Sequence, residues 1–151
     1  MSTGEPISSF RTRRRVEFAD TDLARQVHFA RFFVFMETAE HEFLESLGAQ
    51  VHMRWEGREI GWPRLEAHCT FLSPARLGDV LEIELHIVRK GRRSLTYAFT
   101  LSCGERIVAR GRMASACCAL DGDAGLEPVP IPAFIADRIA EASSEDPRPR
   151  A

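Results

Sequence analysis

The sequence has no long apolar run and almost no net charge. No segment of its 151 residues approaches the roughly 20 consecutive apolar positions that a membrane-spanning helix needs. The first six residues carry no apolar core of the kind found in a signal peptide. A formal net charge of −2 gives no general attraction to nucleic acid or to anionic lipid. We therefore expect a cytoplasmic protein that binds neither a membrane nor a nucleic acid.

Cysteine is scarce and is not arranged for metal binding or for a disulfide framework. None of the four cysteines stands in a Cys-x-x-Cys spacing, and Cys117 and Cys118 are adjacent, so that on a strand they would point to opposite faces. Glu37 and His41 lie one helical turn apart, but the second histidine of a zinc-protease motif is missing. We expect no metal site.

One segment has the pattern of an unusually apolar helix. Between residues 30 and 47, apolar side chains recur at the spacing of one helix face, namely Phe32, Phe35, Met36, Ala39, Phe43 and Leu47. Gly48 follows in the usual stop position. Because further apolar residues widen this face, we predict a central helix that is covered on more than one side.

The rest of the chain alternates with a period of two, which is typical of half-buried strands. We predict a first strand over residues 10–18, an irregular loop over 49–63, four antiparallel strands between residues 65 and 120, and a short helix over 133–142. Small residues from Gly111 to Ala116 permit close approach of the central helix or of a partner subunit. We thus expect one α+β domain over residues 10–142, with an N-terminal extension (1–9) and a disordered tail (143–151).

The densest group of functional residue types lies between the first strand and the central helix. Asp20, Asp22 and His28 fall within nine residues, directly before a helix N-terminus whose free N–H groups and dipole favour negative charge. A carbonyl placed against those N–H groups would have its oxyanion stabilised while an aspartate attacks it or activates water. The same spacing is compatible with a structural role, in which an aspartate caps a turn and His28 caps the helix.

An Asp-x-Asp motif, Asp20-Thr21-Asp22, follows the first predicted strand, and Val27 stands five residues beyond its second aspartate. Together with the long helix rich in aromatics, this run resembles the signature of the 4-hydroxybenzoyl-CoA thioesterase family. The similarity continues in residues 71–79 and in the basic hairpin 89–94. It implies a hotdog fold, in which a five-stranded antiparallel sheet wraps around the central helix.

The resemblance implies hydrolysis of an acyl- or aryl-CoA thioester to the free acid and coenzyme A, with no cofactor beyond that substrate. Asp22 would be the nucleophile or the general base, and the backbone N–H of Phe29 would polarise the carbonyl. Arg25 stands where the family usually has glycine, a residue that readily adopts positive φ. An arginine there would reach a substrate carboxylate or a coenzyme A phosphate, point to solvent, or mark a weakened enzyme.

Further residues are implied in substrate binding: His28, Glu37, Arg89, Lys90 and Arg92. Glu37 occupies the family's acidic helix position and would orient substrate or brace the Asp22 loop. The hairpin with Arg89, Lys90 and Arg92 corresponds to the region that in the family lies near the coenzyme A phosphates, although a solvated turn explains these charges equally well. Because the family pairs exposed strand edges across subunits, we predict a homodimer or homotetramer with the active site at the interface.

Two other functions fit parts of the pattern. A hotdog dehydratase or hydratase would use His28 with Asp22 on a hydroxyacyl chain. A non-catalytic acyl-CoA-binding module is suggested by Arg25 in place of glycine.

Overall fold

The computed structural model describes residues 4–143. Its elements in chain order are β1 (Ser9–Arg15), a 3-10 turn (Phe18–Asp20), α1 (Phe29–Ser46), β2 (Met53–Trp55), β3 (Arg58–Gly61), β4 (Arg64–Phe71), β5 (Val80–Lys90), β6 (Ser94–Cys103), β7 (Arg106–Ala116), β8 (Cys118–Gly122), β9 (Gly125–Pro128) and α2 (Ala133–Ala136). One sheet has the strand order β1-β5-β6-β7-β4, with every neighbouring pair antiparallel. A smaller sheet has the order β2-β3-β8-β9.

The central helix α1 packs against the inner face of the five-stranded sheet. Phe35, Met36 and Phe43 have no exposed surface, and the ring of Phe43 lies 5.8 Å from that of Phe10 on β1 and 6.1 Å from that of Tyr97 on β6. Burial of these large side chains is the main favourable contribution to folding in a domain of this size. The predicted α+β arrangement, with the sheet covering the apolar helix, is confirmed.

The helix α1 comes close to the backbone of the sheet at Gly111 on β7. A Cβ atom at this position would collide with Sδ of Met36 and would lie 3.1 Å from the carbonyl oxygen of His68 on β4. Glycine is therefore needed here because the helix fills the space that a side chain would take. Of the two partners predicted for the small residues of this strand, the central helix is the one in contact at Gly111.

The first strand is shorter than predicted, because the chain leaves the sheet after Arg15. Glu17 is the N-cap of the 3-10 turn, and its backbone N–H donates to Oδ2 of Asp20 over 2.8 Å. This local hydrogen bond competes with strand pairing. The prediction of a strand up to residue 18 was therefore wrong at its C-terminal end.

The last of the four strands predicted between residues 65 and 120 is broken at Cys117 into two strands, β7 and β8, that belong to different sheets. β7 stays in the five-stranded sheet, whereas β8 pairs with β3. At the break, the N–H of Cys117 donates to the carbonyl oxygen of Arg93 over 2.7 Å. The predicted loop 49–63 contains the β2–β3 hairpin, so the second sheet was missed altogether.

The last helix is also shorter than predicted, and it ends at Ala136. Beyond it the chain pairs with the N-terminal segment, where the N–H of Ile7 donates to the carbonyl oxygen of Arg138 over 2.7 Å and that of Ala140 to Ile7 over 3.0 Å. This pairing replaces the part of the predicted helix that lies beyond Ala136. The predicted tail lies outside the described residues, except for Ser143.

Adding one methyl group at Gly111 should destabilise the fold. We expect Gly111→Ala to lower the free energy of unfolding by about 1–3 kcal/mol, as overpacking of a core does. Met36→Ala removes the atom that the new Cβ meets, so the two changes together should cost less than their sum. Denaturant unfolding of the wild type, both single variants and the double variant measures this coupling. Strict additivity would contradict the helix–sheet contact described here.

Candidate active site

The segment between β1 and α1 is held as a narrow hairpin against the chain that leads into β5. The N–H of Asp22 donates to the carbonyl oxygen of Gln26 over 2.9 Å. Gln26 forms an antiparallel bridge with Arg76, and the N–H of Val27 donates to the carbonyl oxygen of Ala75 over 2.8 Å. These bonds fix the backbone of the loop, called here the Asp22 loop, relative to the sheet.

The two aspartates of the motif have different environments. Asp20 is 1% exposed, and its carboxylate accepts hydrogen bonds from the guanidinium of Arg31 at 2.7 and 2.9 Å and from the N–H of Glu17. Asp22 is exposed, and its Oδ1 accepts from the N–H of Ala24 over 2.9 Å. No residue from 4 to 143 donates to its Oδ2. Asp20 is thus committed to the structure, while Asp22 keeps one oxygen free.

The N-terminus of α1 retains one unoccupied N–H at its first residue. His28 is the N-cap, and its Nδ1 accepts from the N–H of Ala30 over 3.2 Å, while its carbonyl oxygen accepts from Arg31 over 2.9 Å. The N–H of Phe29 has no acceptor among the described residues. The structural role considered for His28 is confirmed, and its ring stacks on that of Phe29 at 4.7 Å.

Asp22 and the start of α1 face one surface groove of about 360 Å³. Its lining consists of Asp22, Gln26, Val27, Phe29, Phe32, Phe71, Leu72, Ser73, Pro74 and Ala75. Phe71, from the edge strand β4, lies 6.4 Å from the ring of Phe29 and 5.5 Å from that of Phe32. The groove is therefore lined by a carboxylate with one unbonded oxygen, by the residue whose helix N–H has no described acceptor, and by an aromatic wall.

Arg25 adopts the backbone conformation for which glycine is usually required. Its φ is +61°, in the left-handed region, and its N–H donates to the carbonyl oxygen of Asp22 over 2.9 Å. Its side chain is exposed and is not part of the groove lining. Arg25 thus adopts the turn conformation expected of the glycine that the resemblance implies here, and its side chain lies on the surface of the Asp22 loop.

Glu37 takes part in an ion-pair cluster that joins α1 to β4. Its carboxylate lies 3.3 Å from Nη2 of Arg64, and Nη1 of Arg64 lies 2.6 Å from Glu40, which is 1% exposed. Burial alone would lower the pKa of Arg64, but the hydrogen bonds and charges of Glu40 and Glu37 raise it. Glu37 is not among the groove-lining residues, and in this chain it braces the edge strand.

The basic hairpin lies at the opposite end of β5 from the Asp22 loop. β5 has 11 residues and spans roughly 33 Å at the usual rise per residue. Arg89 and Arg92 are exposed. The ammonium of Lys90 instead donates to the carbonyl oxygens of Ala136 at 2.6 Å and Ile139 at 3.0 Å. The hairpin and the Asp22 groove of one chain are therefore far apart.

Sequence analysis alone does not select Gln26 or Phe71. Gln26 has no distinctive spacing, and Phe71 is 49 positions from Asp22, so local periodicity cannot bring them together. The one available signal is the alternation of β4, which places Phe71 on the face that α1 covers.

The described residues contain no group of three or more histidine, cysteine, aspartate or glutamate side chains placed to hold a metal ion. Within residues 4–143, no helix is both long and apolar enough to cross a membrane.

The conformation of Arg25 predicts how substitutions there affect stability. A non-glycine residue in the left-handed region costs roughly 1–2 kcal/mol relative to the right-handed one, and glycine avoids this cost. We expect Arg25→Gly to unfold at a higher denaturant concentration than Arg25→Ala, which loses the same guanidinium but keeps the strain. If the alanine variant were equally stable or more stable, the positive φ would be contradicted.

The chain is similar to known proteins in both sequence and structure. The sequence profile of the thioesterase-like superfamily matches residues 16–139. A 1,4-dihydroxy-2-naphthoyl-CoA hydrolase of Thermosynechococcus vestitus is 32% identical over 136 residues, which cover 88% of this chain and 92% of the relative.

Solved structures of thioesterases are also similar to this chain. A 1,4-dihydroxy-2-naphthoyl-CoA thioesterase from Synechocystis has a TM-score of 0.72 at 25% identity, over 85% of this chain and 96% of its own. A gentisyl-coenzyme A thioesterase has a TM-score of 0.71 at 26% identity, over 83% and 98% of the two chains. The span matched by the superfamily profile includes the Asp22 loop, α1 and the strands β4 to β7.

Proposed function

This chain belongs to the thioesterase-like superfamily, as its resemblance to hotdog thioesterases predicted, and we propose that it hydrolyses an acyl- or aryl-CoA thioester in the Asp22 groove. The observation that carries the proposal is that one groove is lined both by Asp22, which keeps a carboxylate oxygen free of protein donors, and by Phe29, whose backbone N–H has no acceptor in residues 4–143. The reaction adds water across the acyl C–S bond and yields a carboxylic acid and the thiol of coenzyme A. Because an ordinary thiol has a pKa of about 8.5, it leaves as thiolate without a strong general acid.

Two routes use the same groups. In one, Oδ2 of Asp22 attacks the carbonyl carbon, the C–S bond breaks to release thiolate, and water then cleaves the resulting mixed anhydride. In the other, the carboxylate of Asp22 takes a proton from water as the water oxygen attacks the carbonyl carbon, and the C–S bond of the tetrahedral intermediate then breaks to release the acid and thiolate. In both, the N–H of Phe29 donates to the carbonyl oxygen as negative charge develops on it.

The groove favours an aryl group as the acyl part of the substrate. The ring of Phe71 lies within attractive aromatic distance of the rings of Phe29 and Phe32, so these three side chains form an aromatic cluster. An aryl group of the substrate would pack against this cluster in the same way. Relatives named as 1,4-dihydroxy-2-naphthoyl-CoA hydrolases and a neighbour named as a gentisyl-coenzyme A thioesterase act on aryl thioesters. We therefore place the aryl ring against this wall.

The proposed enzyme is a homodimer, or a tetramer made of two such dimers, that pairs through the β4 edge. Leu65 and Phe71 on this edge strand are 64% and 48% exposed, and the neighbouring Phe29 is 61% exposed. An unpaired strand edge with exposed apolar side chains is a ready site for pairing with a second copy. Since the hairpin and the groove of one chain are far apart, Arg89 and Arg92 of the partner would hold the coenzyme A phosphates.

Replacing Asp22 tests the proposed catalytic carboxylate. Asp22→Asn and Asp22→Ala should each lower the rate of thiol release from a panel of acyl- and aryl-CoAs by roughly 10²-fold or more, because both remove the nucleophile or base. Asp123→Asn, in the exposed β8–β9 turn, serves as a control with unchanged turnover. Unchanged turnover in both Asp22 variants would refute the assignment. Hydration of an enoyl-CoA, or retention of coenzyme A without turnover, would favour the two other functions.

The role of the basic hairpin can be separated from that of the groove by using a truncated substrate. Arg89→Ala combined with Arg92→Ala should raise KM for benzoyl-CoA about tenfold, because charge-assisted hydrogen bonds to phosphate are lost. KM for the N-acetylcysteamine thioester of benzoate, which carries no phosphate, should not change. Arg54→Ala provides an exposed arginine elsewhere as a control. Equal changes with both substrates would count against phosphate binding at the hairpin.

A further inference from the structure

The oxygen of the proposed thioester substrate needs more than the one donor that α1 offers. Of the first three N–H groups of the helix, those of Ala30 and Arg31 already donate to His28, which leaves the N–H of Phe29. An oxyanion in a tetrahedral intermediate is usually met by two or more fixed donors. The groove should therefore contain a second donor.

We propose that the carboxamide of Gln26 is this second donor to the thioester oxygen. The inference rests on the proposed function and adds a catalytic residue to it. Three polar residues line the groove: Asp22, Gln26 and Ser73. An ionised carboxylate only accepts hydrogen bonds, so Asp22 is not a candidate donor.

The hydroxyl of Ser73 is already engaged. Its Oγ donates to the carbonyl oxygen of Ile107 over 2.8 Å and accepts from Nη1 of Arg106 over 2.9 Å. In contrast, the side chain of Gln26 makes no hydrogen bond or ion pair to any residue from 4 to 143. Its amide nitrogen has two N–H groups to donate.

The backbone of Gln26 is fixed on both sides, which makes it suitable for catalysis. Its carbonyl oxygen accepts from the N–H of Asp22, and the next residue, Val27, donates to Ala75. A fixed backbone confines the carboxamide to the positions that the side-chain torsions of one anchored residue allow, so less reorganisation is required than for a donor on a mobile segment. The same hydrogen bond ties the position of the donor to that of the catalytic carboxylate.

The test compares kcat and KM for benzoyl-CoA in Gln26→Met, which keeps the length of the side chain but has no N–H. A hydrogen bond to the oxyanion is stronger in the transition state than in the ground state. Loss of this bond in Gln26→Met should therefore lower kcat about 10²-fold with little change in KM. Gln50→Met, at an exposed position beyond α1, is the matched control and should leave both constants unchanged. Unchanged kcat, or a change confined to KM, would overturn the inference.

A spectroscopic readout does not depend on turnover. In Asp22→Asn loaded with benzoyl-CoA labelled with ¹³C at the carbonyl, two donors should move the C=O stretching band well below that of the free thioester. Adding Gln26→Met should return the band part of the way. If the C=O band had the same position in Asp22→Asn with and without Gln26→Met, the proposed role of Gln26 would be overturned. If hydrolysis proved insensitive to Asp22 itself, the proposed function would fail, which is a separate result.

Discussion

The buried contact between Asp20 and Arg31 is the constraint on which the site depends. The carboxylate of Asp20 accepts hydrogen bonds from the Arg31 guanidinium and from the N–H of Glu17. The backbone carbonyl oxygen of Asp20 accepts from the N–H of His28 over 2.9 Å. One residue thus holds the end of β1, the Asp22 loop and the start of α1 together. A buried carboxylate is tolerated because it is paired and fully hydrogen-bonded. The loop between these anchors can then present Asp22 without having to be buried itself.

The two aspartates of one short motif divide structural and chemical roles between them. Asp20 is buried and its carboxylate is bonded to protein donors, whereas only Oδ1 of Asp22 accepts a hydrogen bond, from the turn, and Oδ2 stays unbonded within the described residues. The N-terminus of α1 is divided in the same way. The N–H groups of Ala30 and Arg31 donate to His28, and the N–H of Phe29 remains without an acceptor among residues 4–143. The glycine-like conformation of Arg25 preserves the turn that brings Asp22 and Gln26 together.

Much of the fold could be predicted from the sequence because its signals are local and repeated. The apolar period of α1 predicted a central helix covered by the sheet, which is confirmed. The small residues around Gly111 predicted close approach of this helix or of a partner subunit, and at Gly111 the helix is the partner. The second sheet was missed because strands of three to five residues are too short to show a period. The end of β1 was misplaced because a hydrogen bond at Glu17 outweighed the β-propensity of Val16 and Phe18. The aromatic wall escaped prediction because Phe71 reaches Phe29 only through the pairing of β4 with β7.

The central claim is that the thioester carbonyl lies between Asp22 and the start of α1. A crystal structure of the protein with a coenzyme A analogue in which a methylene separates the aryl carbonyl from sulfur tests it most directly. The account predicts the ketone oxygen at about 2.7–3.1 Å from the backbone nitrogen of Phe29, with the Asp22 carboxylate facing the carbonyl carbon. An analogue bound with its carbonyl elsewhere, and with Asp22 turned to solvent in the assembled oligomer, would contradict it.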